Sequence, residues 1–268
     1  MPTEEPAGPG PAVRARGVGH RFGTATALSG IDLELSRGRI TALVGANGSG
    51  KTTLLRILAG ILEPSAGEVE VLGIAGQASS GLGPPRALRQ RASYLSQAPA
   101  LDPEMTGREI LTLEAALYGV RRRGRGRRVA ELAASFGVAS HLSRRVCTWS
   151  GGLRRRLHLA AGMIHDPELL LLDEPTAGLD AEGRRFLWAD LEARARRGRA
   201  VAIVTHDLAA AERHAGTVAI LERGALVAAG TPEELRGIDG GTAPDLAEAF
   251  RRRTGRDVAD LLPRRRGS

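Results

Sequence analysis

Residues 45–53 read GANGSGKTT and fit the pattern G-x-x-x-x-G-K-[ST]. Gly45, Gly48 and Gly50 let a backbone curl round a phosphate with its amides pointing inward. Ala46, Asn47 and Ser49 complete that loop. The helix opened by Lys51, Thr52 and Thr53 adds free N–H groups and partial positive charge on the same anion. Lys51 is placed to reach the β- and γ-phosphates of a nucleotide, and Thr52 to give a hydroxyl to Mg²⁺. Lys51 is also the sole lysine in a chain with 38 lysines and arginines together. A guanidinium is a wide planar fork, whereas an ammonium is compact on a flexible stem. A loop crowded round a phosphate has room for the second, so this position resists the arginine bias of the rest.

Two further stretches carry chemistry. ELLLLDE (168–174) is an apolar run ending in two carboxylates. Asp173 at the end of a strand beside the phosphate loop holds Mg²⁺ through water, and Glu174 can accept a proton from a water aligned on the γ-phosphate. WSGGLRRRLHLAAGMI (149–164) places Ser150, Gly151 and Gly152 ahead of a helix. That is a second phosphate-suited helix start, although SGG alone reads as readily as an ordinary N-cap.

The elements that must position these groups are legible in outline. ITALVG (40–45), ELLLLD (168–173) and AVAIVT (200–205) are short apolar runs suited to strands buried on both faces, each followed by loop and helix signals. They predict an α/β fold with a parallel sheet at its core. VRARGV (13–18), IDLEL (31–35) and EVEVLG (68–73) alternate and predict a small antiparallel sheet beside it. From about 98 to 165 the pattern is helical, in REILTLEAALYG and RRVAELAASFG, which predicts an inserted helical subdomain. RRRGRGRR (121–128) between those helices reads as a solvated loop, and GQASSGLGPP (76–85) as a flexible one. Residues 1–11 read as disordered, 12–235 as the nucleotide-binding domain, and 236–268 as a basic tail with a short helix.

Composition bounds the class. Hydrophobic residues at 42% and charged residues at 25% fit a soluble globular chain. The formal charge of +8 permits anionic partners, but arginine is high throughout, so specific nucleic-acid binding is not expected. The single cysteine, Cys147, excludes an internal disulfide, reads as a small, partly buried side chain and suits a reducing cytosol. No signal peptide opens the chain, and no run reaches the about 18 apolar residues needed to span a bilayer.

Taken in order, GANGSGKTT, the glutamine of YLSQ, SGG, LLLLDEP, AGLD and VTHD resemble the nucleotide-binding subunit of ATP-binding-cassette (ABC) transporters, over roughly Val13 to Leu235. Ser150 stands 23 residues before Asp173, as in that family. The resemblance implies further roles. Phe22 stacks on adenine, Gln97 touches Mg²⁺ and the attacking water, and Asp180 meets a second subunit. His206 holds the γ-phosphate and the catalytic base Glu174. It implies ATP and Mg²⁺, a paired second copy in which each ATP lies between one phosphate loop and the other copy's SGG, and a membrane permease docked near Gln97 to Gly107. The site is then cytoplasmic, on the inner membrane face. Trp149 and Leu153 depart from the usual LSGGQ. SGG followed by an apolar residue and three arginines is similar to daunorubicin-resistance exporter ATPases, as is the tail. The alternatives are a soluble ATPase of the same family acting on nucleic acid or the ribosome, and a cassette serving an importer or iron–sulfur assembly.

Overall fold

The structure is a computed structural model and describes residues 10–75, 84–237 and 243–255. A hairpin opens it, β1 (Val13–Phe22) against β2 (Ala25–Leu35). Both strands run well beyond the predicted alternating stretches, because bulges absorb the glycines. The Gly17 amide, for instance, donates to the Asp32 carboxylate at 2.8 Å. Next come β3 (Ile40–Val44), α1 (Lys51–Leu58), β4 (Ala66–Val71), β5 (Ile74–Ala75), the short α2 (Arg86–Arg89) and β6 (Ala92–Leu95). Three helices follow, α3 (Gly107–Leu117), α4 (Arg122–Ser135) and α5 (Gly151–Gly162). The chain then alternates through β7 (Leu169–Asp173), α6 (Ala181–Arg196), β8 (Ala200–Val204) and α7 (Leu208–His214). It finishes with β9 (Thr217–Glu222), β10 (Ala225–Gly230), α8 (Pro232–Gly237) and α9 (Leu246–Thr254).

One sheet has the order β2-β1-β4-β5 and is antiparallel. The other has the order β10-β9-β3-β8-β7-β6, parallel from β9 to β6 with β10 antiparallel at its edge. The parallel strands are buried on both faces, and their period of two divides the core. Ile40, Ala42, Val44, Leu170, Leu172, Val201 and Ile203 face the layer of α3 to α7. Leu43, Leu169, Leu171, Ala200, Ala202 and Val204 face α1 and the antiparallel sheet. This is why the three apolar runs carry no polar alternation. The last helix belongs to the packed body, since Leu246 and Phe250 are buried in the first of these cores.

Three expectations change. The arginine stretch 121–128 is not a loop but the first two turns of α4. Arginine is a good helix former, and side chains find carbonyls here. Arg125 Nε donates to Val120 O at 2.7 Å, and Arg128 donates to Met163 O and Ile164 O, both at 2.9 Å, just past the C-terminal end of α5. Cys147 is exposed rather than partly buried, because Val146 and Trp149 take the inward positions of its turn. Strands β6 and β9 extend the parallel sheet beyond the three runs that predicted it, and β10 adds an antiparallel edge. Residues 1–9, 76–83 and 256–268, which hold most of the segments read as disordered or flexible, lie outside the described residues.

Candidate ATP site

Strands β3, β8, β7 and β6 are neighbours, so their C-terminal ends meet at one edge. Each end passes into a loop bearing a predicted residue: Gly45 after β3, His206 after β8, Glu174 after β7 and Gln97 after β6. In open α/β sheets that edge is where ligands bind.

The loop 45–50 is tightly built. Gly50 adopts a left-handed φ of 102°, and a Cβ there would strike Leu28 and the Ala27 carbonyl of β2. A Cβ at Gly45 would collide with the Leu221 carbonyl of β9. Helix α1 starts at Lys51 with no side-chain cap and no acidic residue in its first turn, so its leading amides remain for an anion. Lys51 is buried, and its Nζ donates to Gly45 O and Ala46 O, both at 2.8 Å. Burial lowers its pKa, against the opposing pull of Glu174 and Asp173. The ammonium is thus held at the centre of the loop, close to two carboxylates.

Thr52 Oγ1 donates to Asp173 Oδ2 at 2.9 Å, bringing two of the three predicted Mg²⁺ residues into contact; the third, Gln97, bonds Glu174 instead. Burial raises the Asp173 pKa, partly offset by that hydrogen bond. A hydroxyl and a carboxylate side by side make a hard oxygen set, which suits a cation that takes one or two protein oxygens and completes its shell with phosphate and water. Among the described residues no group of three or more His, Cys, Asp or Glu side chains could hold a metal by itself.

Glu174 occupies a left-handed backbone position, φ 47°, with its amide donating to Val204 O at 3.1 Å. A non-glycine residue held there is strained, and such strain gathers at functional sites. Its Oε2 accepts from Gln97 Nε2 at 3.1 Å and pairs with His206 Nε2 at 2.8 Å. In the Nε2-protonated tautomer His206 donates to the carboxylate. Two side chains from the strand ends on either side of β7 therefore converge on one oxygen of Glu174.

Phe22 is 53% exposed at the end of β1 and lies edge-on to His20 with ring centroids 4.5 Å apart. The β1–β2 hairpin abuts the phosphate loop through Ala27 and Leu28 against Gly50. An exposed ring on its tip can take a flat base. Ser150, Gly151 and Gly152 form the head of α5. Ser150 caps α5, accepting from Leu153 N at 3.3 Å. Trp149 is buried against Gly107 of α3, and Leu153 packs on the same core. Both departures from LSGGQ thus serve packing behind an exposed Ser-Gly pair. Asp180 caps α6 by accepting from Gly183 N at 2.8 Å and pairs with Arg156 of α5 at 2.7 Å.

Sequence reasoning missed Arg155. It lies within an arginine triplet and has no motif of its own, yet it is buried and donates to Gln97 O and Glu174 O, both at 2.7 Å. The available signal was its position four residues before Leu159, on the inward face of α5.

Residues 28–177 match the protein family described as ABC transporter. The chain is 38% identical over 252 residues to the daunorubicin resistance ATP-binding protein DrrA3 of Streptomyces coeruleorubidus, across 94% of this chain and 78% of that one. It is 33% identical to the Nod factor export ATP-binding protein I of Ralstonia nicotianae, across 88% and 73%. Among solved structures, the ATP-binding subunit of an ABC transporter superposes with a TM-score of 0.84 at 27% identity, covering 91% of this chain and 99% of that one. The structure of cbiO1 from Clostridium perfringens, part of the ABC transporter complex cbiONQ, does so with a TM-score of 0.73 at 25% identity, covering 84% and 90%.

Proposed function

The chain belongs to the ABC transporter family as an ATP-binding, ATP-hydrolysing subunit, and from that premise we propose that it powers export of a drug-like small molecule through a separate membrane permease. The convergence of Gln97 and His206 on Glu174 Oε2 carries the hydrolytic half of this reading. Lys51 and the amides of 45–52 bind the phosphates, and Phe22 takes the adenine. With one oxygen of Glu174 held by two donors, the other is directed to accept the proton of an attacking water. Mg²⁺, held by Thr52 and Asp173, supplies charge neutralisation at the phosphates when bound.

The second half rests on likeness to DrrA3 and to the Nod factor export protein, whose names place them in drug resistance and export. These relatives favour export over the nucleic-acid and ribosome readings. Among the described residues no helix is long and apolar enough to cross a membrane, so a transport role runs through a partner. Ser150–Gly152 at the exposed head of α5 supply the surface that meets the ATP of a second copy. The permease docks beside Gln97 to Gly107, on the cytoplasmic side. Glu104 in that loop is exposed and pairs with Arg145 at 2.9 Å.

The test is copurification from native membranes in mild detergent with a tag on this chain. A multi-span membrane protein in near-equal amount is the expected companion. Recovery of ribosomes or nucleic acid, with the chain absent from membranes, would overturn the transport reading.

A further inference from the structure

We propose that Arg155 is a positioning residue for ATP hydrolysis, tying the helix headed by Ser150–Gly152 to the backbone that carries Gln97 and Glu174. Its guanidinium has five N–H donors, and five carbonyls take them. Nε donates to Pro175 O at 3.2 Å. Nη1 donates to Ser96 O at 3.0 Å and Gln97 O at 2.7 Å. Nη2 donates to Asp173 O at 3.3 Å and Glu174 O at 2.7 Å. The residue is 3% exposed, and its bonds to Pro175 O and Asp173 O are fully buried while the other three are partly so.

The placement explains the use. Ladder pairing in β6 ends at Leu95 and in β7 at Asp173. Past those points the chain must turn toward the ligand edge, and its carbonyls need donors that a sheet no longer supplies. Arg155 supplies them to both segments at once. It therefore fixes the backbone beneath Gln97 and beneath Glu174, whose left-handed φ persists only if its surroundings hold it. Arg155 also lies within the first turns of α5, the helix capped by Ser150. A shift of that helix moves the guanidinium, and the guanidinium moves the catalytic carboxylate and its glutamine together. The next residue, Arg156, pairs with Asp180 and extends the same grip to the start of α6. Arg154 is exposed, so the three arginines have three different surroundings. Lysine has three donors and no planar fork, and cannot satisfy the same five carbonyls.

The inference rests on ATP hydrolysis at this site, so the assay reads hydrolysis and binding separately. Wild type, Arg155→Lys and Arg155→Met would be followed by single-turnover hydrolysis with the full chain in excess over labelled ATP. Titration with a fluorescent ATP analogue and thermal melting accompany it, with Arg154→Lys as the exposed control. The expected result is a hydrolysis rate lower by about 100-fold in Arg155→Met, as for a displaced catalytic group, with a smaller loss in Arg155→Lys. Nucleotide affinity in the folded Arg155→Lys protein stays within about threefold of wild type. Two results would overturn the proposal: a wild-type rate in either Arg155 variant, or a rate loss matched in Arg155→Lys by an equal loss of affinity and melting temperature. A wild-type chain that bound ATP and never hydrolysed it would instead remove the hydrolytic reading, and this inference with it.

Discussion

Glu174 Oε2 receives both Gln97 and His206, and that arrangement limits what a substitution can do. Glu174→Gln keeps the size and loses the proton acceptor. Turnover should fall by about 10²- to 10⁴-fold, the usual worth of general base catalysis, while ATP still binds. Size exclusion with and without ATP checks the consequence: the variant should elute as an ATP-dependent pair, and an unchanged monomer peak would count against the two-copy arrangement. Lys51 makes a different point. Its ammonium fits between the Gly45 and Ala46 carbonyls because it is small. Lys51→Arg keeps the charge and loses the fit, so ATP affinity should fall at least about tenfold, the size of one charge-assisted hydrogen bond. Isothermal titration decides it, and wild-type affinity would reject the geometric account of this lone lysine.

At the scale of elements, α5 is the hub. Its N-terminus carries the exposed Ser-Gly pair, Arg155 in its first turns bonds the carbonyls of Gln97 and Glu174, and just past its end Met163 and Ile164 receive Arg128 from α4. Trp149, immediately before it, is 4% exposed and packs on Gly107 at the start of α3. The indole also donates to Arg144 O at 3.3 Å. Trp149→Ala removes a buried aromatic and should cost about 3–5 kcal/mol by urea unfolding. A change below about 1 kcal/mol would mean the site collapses without penalty. Trp149 thus packs the segment ahead of α5 against the start of α3.

At the scale of the whole molecule, acid should act in two stages. Burial pushes the His158 and His165 pKa values down to about 4. Below pH 6.5 the unfolded chain protonates these histidines while the folded chain does not, so stability falls from pH 6.5 to 4. Glu168 behaves in the opposite manner. Arg91 above all, with Arg37, holds its carboxyl at about 2, below its ordinary 4.5. Its contribution is complete above pH 4.5 and is lost as pH falls toward 2. Glu168 joins Arg37 after β2 and Arg91 before β6 to the start of β7, so it binds the two sheets together. Melting of wild type and Glu168→Gln across pH should show a constant gap above pH 5 that closes on acidification. A gap independent of pH would reject the ion pair as its source.

Much of this was readable in the linear chain. Lys51, Thr52, Asp173 and Glu174 lie in local patterns where a strand, a loop and a helix start adjoin, and local patterns carry local geometry. The apolar runs at 40–45, 168–173 and 200–205 announced a buried parallel sheet because burial on both faces removes polar alternation. TVAILE, which forms β9, is an apolar run of the same kind, whereas ALVAAG forms β10, a partly exposed antiparallel edge strand. What lay beyond reading depended on partners far along the chain. Whether RRRGRGRR is loop or helix turned on carbonyls at Met163 and Ile164, 35 and 36 residues from Arg128. Arg155 differs from Arg154 and Arg156 only in the direction it faces, and its five acceptors lie 18 to 59 residues away. The sequence by itself determined the chemistry, since residue type and short spacing decide which groups can bind phosphate or accept a proton. Only the tertiary structure decided which arginine is interior and which carboxylate oxygen is shared, because those follow from the order in which strands pair and the face that each helix turns to the sheet.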